Sequence, residues 1–301
     1  MADASALQGR IIAAHGRHYT VELPDGSVRK CFPRGKKAGA AVGDYVVINP
    51  QGSDEGSIDR ILERRNLLYR SDDMRTKQFA ANVDQLLIVV APEPAFSDDL
   101  TGRALVAAWS AGIDPIVILN KIDLEGSIGR ARQRLATLSQ LGIHIVELSA
   151  HSAEPMRAAL LPLLRNRCTL LLGQSGMGKS TILNTLVPDA RAHTQAHSQA
   201  LGAGKHTTTS TRLYHLPDQS GDIIDSPGFQ AFGLYHLTAT DIERGFPEFK
   251  EAIQHCRYYN CTHRHEPGCG VLAAIEQGNI TTERHDLYKR ILAENEAQGR
   301  Y

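Results

Sequence analysis

The densest chemistry in the chain lies in one run, Gly173-Gln174-Ser175-Gly176-Met177-Gly178-Lys179-Ser180, which fits the spacing G-x-x-x-x-G-K-[ST]. Apolar residues Leu170 to Leu172 lead into it, and a helix-compatible segment, Thr181 to Leu186, leads out. Glycines in such a turn let backbone N–H groups point inward at phosphate oxygens, and the helix N-terminus adds its positive dipole end. Lys179 then reaches the terminal phosphates and Ser180 offers a hydroxyl to Mg²⁺, so Gly173 to Thr181 form a candidate nucleotide-phosphate cradle. A chance glycine-rich turn is the plain alternative, and the order of strand, loop and helix weighs against it.

A second group of residues suits a base and a γ-phosphate. Asn120-Lys121-Ile122-Asp123 follows the apolar strand Pro115 to Leu119. N-K-x-D in that position suits guanine, because the Asp123 carboxylate accepts from the N1–H and N2–H₂ edge, a donor pattern that adenine does not present. Asn120 would support the base and the neighbouring loop, while the aliphatic stem of Lys121 would cover the ring. An Asp that merely caps the next helix is the competing explanation. Ser149-Ala150, after the strand His144 to Leu148, matches a loop whose backbone contacts guanine O6.

Downstream, the polar stretch Ala190 to Lys205 leads to His206-Thr207-Thr208-Thr209, where Thr208 or Thr209 would reach Mg²⁺ and the γ-phosphate. Asp225-Ser226-Pro227-Gly228 follows the strand Asp222 to Ile224. In this D-x-x-G, Asp225 would hold Mg²⁺ through water and the Gly228 N–H would sense the γ-phosphate. The next residue, Phe229, has no group that orients an attacking water, which leaves that role to His206 or to a partner.

A third cluster is Cys256-x₄-Cys261-x-His263-x₅-Cys269. Three thiolates and one imidazole make a closed tetrahedral Zn²⁺ set, structural rather than catalytic. His255 and His265 compete for the imidazole position; otherwise, with Arg257 and Arg264, they suit a polar rim facing RNA. Cys31 and Cys168 stand alone, and three of five cysteines crowded together in a reducing compartment favour a metal over disulfides.

These groups must be held by the elements around them. Val83 to Val90 is a continuous apolar run of the kind buried in a parallel sheet, and helices are predicted over Asp98 to Ala111, Gly129 to Leu141 and Pro155 to Leu164. Residues 71–81 read as a linker. Before them, Gly9 to Ile12, His18 to Leu23, Val28 to Phe32, Asp44 to Ile48 and Ser57 to Leu62 are short β-prone runs that predict a compact barrel, OB-like or SH3-like. Arg29, Lys30, Arg34, Lys36 and Lys37 around Phe32 suit a surface that tracks a phosphate backbone, or simply a solvated face. Helices over Ile242 to Ile253 and Glu283 to Glu296 flank the cysteine cluster.

Length and charge set outer bounds. A chain of 301 residues suits two or three domains, and 33 basic residues balance 33 acidic ones, so any nucleic-acid surface must be local. No apolar run approaches the roughly 18 residues that span a bilayer. The opening MADASALQGR lacks a signal-peptide layout, and a cytoplasmic monomer without membrane contact is the expected state.

The order of the elements is the most informative feature. Small GTPases run from phosphate loop to base-specificity element, whereas here the base elements come first and the phosphate loop follows. The set is complete but circularly permuted, which a doubly wound domain with neighbouring termini tolerates. Permutation also joins the second switch at Gly228 directly to the C-terminal region. Barrel, permuted GTPase and Cys₃His segment in this order resemble the ribosome small subunit-dependent GTPase A family over nearly the whole chain. Asn120 to Asp123, Gly173 to Ser180, Gly204 to Thr209, Asp225 to Gly228 and the zinc spacing carry the likeness.

The resemblance implies an α/β fold with an N-terminal OB-like β-barrel over 1–70 and a circularly permuted P-loop GTPase domain over 71–235, its sheet mostly parallel and doubly wound. A C-terminal α-helical zinc-binding domain over 236–301 would complete it. It further implies hydrolysis of GTP to GDP and phosphate with Mg²⁺, one structural Zn²⁺, and stimulation by the small ribosomal subunit. Contact with the rRNA of that subunit during its late maturation is implied as well. A P-loop ATPase or small-molecule kinase is one rival. An RNA-binding module whose nucleotide only locks a shape is another.

Overall fold

The computed structural model describes residues 6–34, 39–72, 75–188, 190, 211–226 and 234–298. Its first strands are β1 (Leu7–Ala14), β2 (Tyr19–Glu22), β3 (Val28–Pro33), β4 (Tyr45–Gln51) and β5 (Glu55–Ile61). They pair in the order β1-β2-β3-β5-β4, and β4 returns to β1. Every pair is antiparallel except β3–β5, whose parallel register runs from Lys30↔Glu55 to Pro33↔Ile58. This closure makes a five-strand Greek-key barrel of the OB type, one of the two that the strand spacing allows. Ile11, Val21, Cys31, Val46 and Ile48 fill it and are fully buried. The basic run on β3 is largely engaged within the barrel: Arg29 donates to the Gly52 and Glu55 carbonyls, Lys30 pairs with Glu55 and Arg34 with Asp59. Lys36 and Lys37 lie outside the described residues.

Residues 71–81 belong to a hairpin and not to a linker. β6 (Leu67–Asp72) and β7 (Arg75–Ala81) pair from Leu67↔Ala81 to Asp72↔Arg75, so a boundary at 70/71 falls inside β6. The sequence of β7 shows no apolar alternation, so the strand has no periodic signal. The base of the hairpin is stitched to the barrel, with Ala81 N donating to Val42 O and the Asn82 amide to Gly43 O.

The nucleotide-type unit follows as β8 (Gln85–Val90), α1 (Asp98–Ser110), β9 (Asp114–Leu119), α2 (Glu125–Gln140), β10 (His144–Glu147), α3 (Ala153–Leu164), β11 (Cys168–Leu172), α4 (Lys179–Leu186), β12 (Arg212–His215) and β13 (Asp222–Asp225). The strand order is β10-β9-β8-β11-β13-β12, parallel throughout except for the antiparallel β12. All residues of β8 and β11 are buried, which is why Leu86 to Val90 and Leu170 to Leu172 read as unbroken apolar runs. From β8 the chain winds outward to β10, and α3 then carries it back across the sheet to β11. Right-handed crossovers in opposite directions put α1 and α2 on one face and α3 on the other, where it packs with α4. The reversal point lies between β8 and β11, and in such sheets the ligand crevice opens at the carboxyl ends of those strands.

Barrel and sheet meet at β12, which pairs with β1 at Ala13↔Arg212. Beside that pairing, Arg10 bonds the Asp222 carboxylate and the Cys168 sulfur. His215 bridges Asp222 at 2.7 Å and Glu22 at 2.8 Å. The hydrogen bond to Asp222, and then the one to Glu22, raise the His215 imidazole above its ordinary value, so the imidazolium is favoured between two carboxylates. Asp222 opens the strand that Asp225 closes, so this network touches the same strand as the D-x-x-G turn.

The chain ends in α5 (Ala239–Arg244), α6 (Phe249–Ile253), α7 (Gly270–Glu276) and α8 (Thr282–Gln298). The helix expected over Ile242 to Ile253 is two helices. Gly245 ends α5, and Pro247, which lacks an N–H, cannot continue it. A capping box between Thr238 and Asp241 starts α5. These helices dock on α1. A side chain on Gly102 would collide with Leu287 and one on Gly245 with Val106, while Arg103 makes a forked pair with Glu294 at 2.8 and 2.6 Å.

Candidate nucleotide site and metal centre

The loop after β11 sits at the reversal point and is held from two sides. Gly173 has φ 153°, and a Cβ there would overlap the Val89 carbonyl oxygen of β8. Gly178, at φ 96°, is the N-cap of α4, and a Cβ there would overlap the Asn120 amide nitrogen. The glycines of the motif are thus needed for close backbone approach to β8 and to Asn120. On the other flank the Gln174 side chain accepts from Ser97 N at 2.6 Å, and Pro94 lies against Gly176. Met177 is buried beneath the loop, whereas Ser175, Gly176 and Ser180 are exposed and Thr181 is half-buried.

Asn120 is the central strut. Buried to 1% exposure, it donates to Met177 O at 2.8 Å and accepts from Ala150 N at 2.9 Å, tying the phosphate loop to the Ser149-Ala150 loop. Lys121 turns out of β9 with φ 63° and donates its ammonium to Glu93 O at 2.7 Å. Ile122 N reaches Leu148 O. Asp123 is exposed, and the Ser149 hydroxyl, by hydrogen bonding to it, holds its carboxyl below the ordinary range. An ionised carboxylate beside a buried polar strut, open to the crevice, can accept from a donor edge.

Lys179 and Asp225 face the crevice floor. The Lys179 ammonium donates to Gly173 O at 2.6 Å and Gln174 O at 2.9 Å, folding over the loop it will serve. Burial lowers its pKa and the Asp225 charge opposes that fall. Burial pushes the Asp225 carboxyl up to about 6, with Lys179 pulling the other way. A half-buried lysine and a buried carboxylate fit a place for phosphate and a hydrated Mg²⁺. His206, Thr207, Thr208, Thr209, Pro227, Gly228 and Phe229 lie outside the described residues.

The Cys₃His cluster is assembled as one set, its four donor atoms within 4.8 Å of one another. The Sγ atoms of Cys256 and Cys269 are 4.0 Å apart, and His263 Nδ1 lies 3.5 and 3.4 Å from them. Tetrahedral zinc bonds of about 2.3 Å to sulfur and about 2.05 Å to nitrogen give edges of about 3.8 and 3.5 Å, so the cage fits Zn²⁺. Burial pushes the Cys261 thiol up to about 12 and raises Cys269, so a dication is what would draw thiolates from them. His255 and His265, the competing imidazoles, are not in the set.

The model of the RsgA GTPase family matches residues 61–235. The chain belongs to the RsgA GTPase family. Small ribosomal subunit biogenesis GTPase RsgA of Bordetella pertussis is 66% identical over 299 residues, 99% of this chain and all of that one. The Burkholderia pseudomallei protein of that name is 57% identical over 289 residues, 95% of this chain and 92% of that one. Among solved structures, YjeQ from Thermotoga maritima superposes with a TM-score of 0.73 at 29% identity, covering 98% of this chain and all of that one. The circularly permuted GTPase YloQ does so at 0.69 and 25% identity, covering 99% and 98%. GTP hydrolysis with GTP and Mg²⁺ comes with membership of the RsgA GTPases.

Within this RsgA GTPase, three features around the sites escape sequence reading. The Glu93–Pro94 segment packs on the phosphate loop and holds Lys121. Glu266 sits in the zinc loop: against the cost of partial burial, hydrogen bonds from Thr262 and from the backbone hold its carboxyl far below the ordinary range. Most telling, His263 presents Nδ1 to the sulfurs while its Nε2 lies 3.3 Å from Glu243 on α5, and His285 donates to the His263 carbonyl at 2.6 Å. A carboxylate on the far nitrogen fixes the tautomer and orientation of a zinc-bound imidazole. Glu243→Gln should therefore weaken zinc about 10- to 100-fold in chelator competition. Unchanged affinity would leave Glu243 without that role.

Proposed function

We propose that this GTPase binds the small ribosomal subunit and its rRNA, hydrolyses GTP to GDP and phosphate during late subunit maturation, and is stimulated by the subunit. The observation that carries the site assignment is Asn120, which bonds the phosphate loop and the Ser149-Ala150 loop at once and so brings base and phosphate elements into one crevice. The full-length likeness to proteins named for small-subunit biogenesis supports the partner.

In this reading Asp123 accepts from the guanine edge, Lys121 covers the ring, and Ser149 and Ala150 border O6. Backbone N–H groups of Gly173 to Lys179, with the Lys179 ammonium, cradle the phosphates, and Ser180 and Thr181 open α4 beneath them. Mg²⁺, when bound, neutralises charge developing between the β- and γ-phosphates. Ser180, Thr208 or Thr209, and Asp225 through water would hold it. Gly228 senses the γ-phosphate. His206 or the subunit supplies the group that orients water, a role Phe229 cannot fill, so hydrolysis in the free protein is slow.

In this reading the barrel, the nucleotide-type sheet and the C-terminal helices act as three units, with the β6–β7 hairpin between the first two in place of a boundary at 70/71. A cytoplasmic monomer suits the role, and among the described residues no helix is long and apolar enough to cross a membrane. GTP turnover measured alone, with small subunits and with large subunits tests the partner; equal rates in all three would sink it. Asp123→Asn should shift preference from guanine toward xanthine nucleotides, since an amide NH₂ donates where the carboxylate accepted. Retained GTP preference in that variant would remove Asp123 from base recognition.

A further inference from the structure

We infer that Arg257, Tyr258 and Tyr259, on the loop between Cys256 and Cys261, form a stacking platform for an unpaired RNA base. The inference rests on the small-subunit reading above. Tyr259 is 102% exposed, while the next large apolar side chain among the described residues, Val28, is at 54%. Tyr258 beside it is exposed too, and the Arg257 guanidinium lies 5.5 Å from its ring centroid. Rings displayed in this way gain nothing for the fold, since neither is packed into the core.

The display is rigid. Both flanking cysteines belong to the metal cage, Cys261 N donates to Tyr258 O at 3.3 Å, and Arg257 N donates to Gly268 O at 2.9 Å. Gly268, at φ 74°, lets that backbone turn against the Arg257 side chain. Zinc thus prepays the ordering of a loop that would otherwise lose entropy on binding.

Charge selects the partner. From Gln254 to His265 the sequence carries His255, Arg257, Arg264 and His265 and no Asp or Glu. Arg264 is occupied by Glu296 at 2.6 Å, which leaves Arg257 as the arginine beside the rings. The next acid, Glu266, is engaged within its own loop, accepting from the N–H groups of Thr262, Arg264 and His265. The fully exposed Tyr259 ring, next to Tyr258 and the Arg257 guanidinium, matches a splayed nucleobase and its phosphate. A duplex keeps its bases stacked and offers no face to such a ring.

The test uses full-length, zinc-loaded protein with Tyr259→Ala, Tyr259→Leu and Tyr259→Phe. Two readouts are taken: binding of small subunits with a non-hydrolysable GTP analogue, and anisotropy of single-stranded against duplex RNA oligonucleotides. Zinc content and subunit-free GTP turnover should stay as in the parent. Loss of one base stack predicts weakening by about 5- to 100-fold for Ala and Leu and less than about two-fold for Phe, on subunits and single strands alike. A p-benzoylphenylalanine placed at 259 should crosslink to rRNA. Parent-like binding by Tyr259→Leu, or a crosslink to ribosomal protein, would overturn the platform in favour of an apolar protein pocket; parent-like binding by Tyr259→Ala would overturn it outright. If the parent itself ignores small subunits, the small-subunit reading fails, and the single-strand arm still decides the platform: equal affinity of parent and Ala variant ends it.

Discussion

Asp225→Asn is expected to make the nucleotide-free protein more stable and to abolish its GTP turnover. Asp225 is 7% exposed, and burial pushes its carboxyl up to about 6. Its folded value therefore lies above its unfolded value. Below the unfolded value the carboxyl is neutral in both states and costs nothing. As pH rises through the window from about 4 to about 6, the unfolded chain ionises first, and above it the folded protein holds a buried charge. The shift corresponds to roughly 3 kcal/mol of lost stability, an upper bound once relaxation is allowed. Asn keeps the shape without the charge, at some cost to Lys179, which loses its counter-charge. Calorimetry without Mg²⁺ or nucleotide at pH 7.5 should show a melting point several degrees higher, with the gain shrinking toward pH 4. A variant no more stable than its parent at pH 7.5 would mean that burial of this charge is not costly. The same substitution removes the carboxylate from the phosphate end of the crevice, so single-turnover hydrolysis should vanish, as it should for Lys179→Ala. On the proposed reading, the stability withheld at this position goes with a carboxylate kept ready for a metal.

Removing zinc should have the second large effect, confined to one end of the molecule. A structural zinc contributes about 10–16 kcal/mol of apparent binding free energy, as much as the whole stability of a typical domain. The cage gathers Cys256 after α6, Cys261 and His263 from the intervening loop, and Cys269 at the start of α7. Chelation, or Cys261→Ser, should strip amide-exchange protection from residues 254–276 and loosen α8 through the lost His285–His263 contact. The barrel and the sheet should keep theirs, because neither contributes a ligand. Uniform loss over all regions, or no loss at all, would contradict a local structural role.

How much of this was legible beforehand depended on whether the deciding contacts are local. The P-loop and N-K-x-D spacings are legible because each lies within one turn, and the Cys₃His cluster because its four donors fall within a short segment. The two hydrogen bonds of Asn120, to Met177 and Ala150, join residues 57 and 30 positions away and leave no mark in the local sequence. The β6–β7 hairpin has no periodic apolar signal, and its pairing shows only in the backbone register. The split of the expected helix at Gly245 and Pro247 is a local signal, since a glycine cap and a residue without an N–H both end a helix. Glu243 gives no sequence signal at all: a lone glutamate on a short helix gains meaning only when His263, 20 residues on, turns its far nitrogen toward it.

The pairing of Ala13 with Arg212 has one more implication. β12 is the last strand of the sheet on its side, and an uncovered terminal strand offers unsatisfied N–H and C=O groups to any passing chain. β1 occupies that flank, with Ala14 N also donating to Thr211 O at 3.2 Å. The barrel therefore acts as a guard against intermolecular strand addition as well as a candidate RNA surface. A truncated chain beginning after the hairpin would lose its solubility before it lost its nucleotide site.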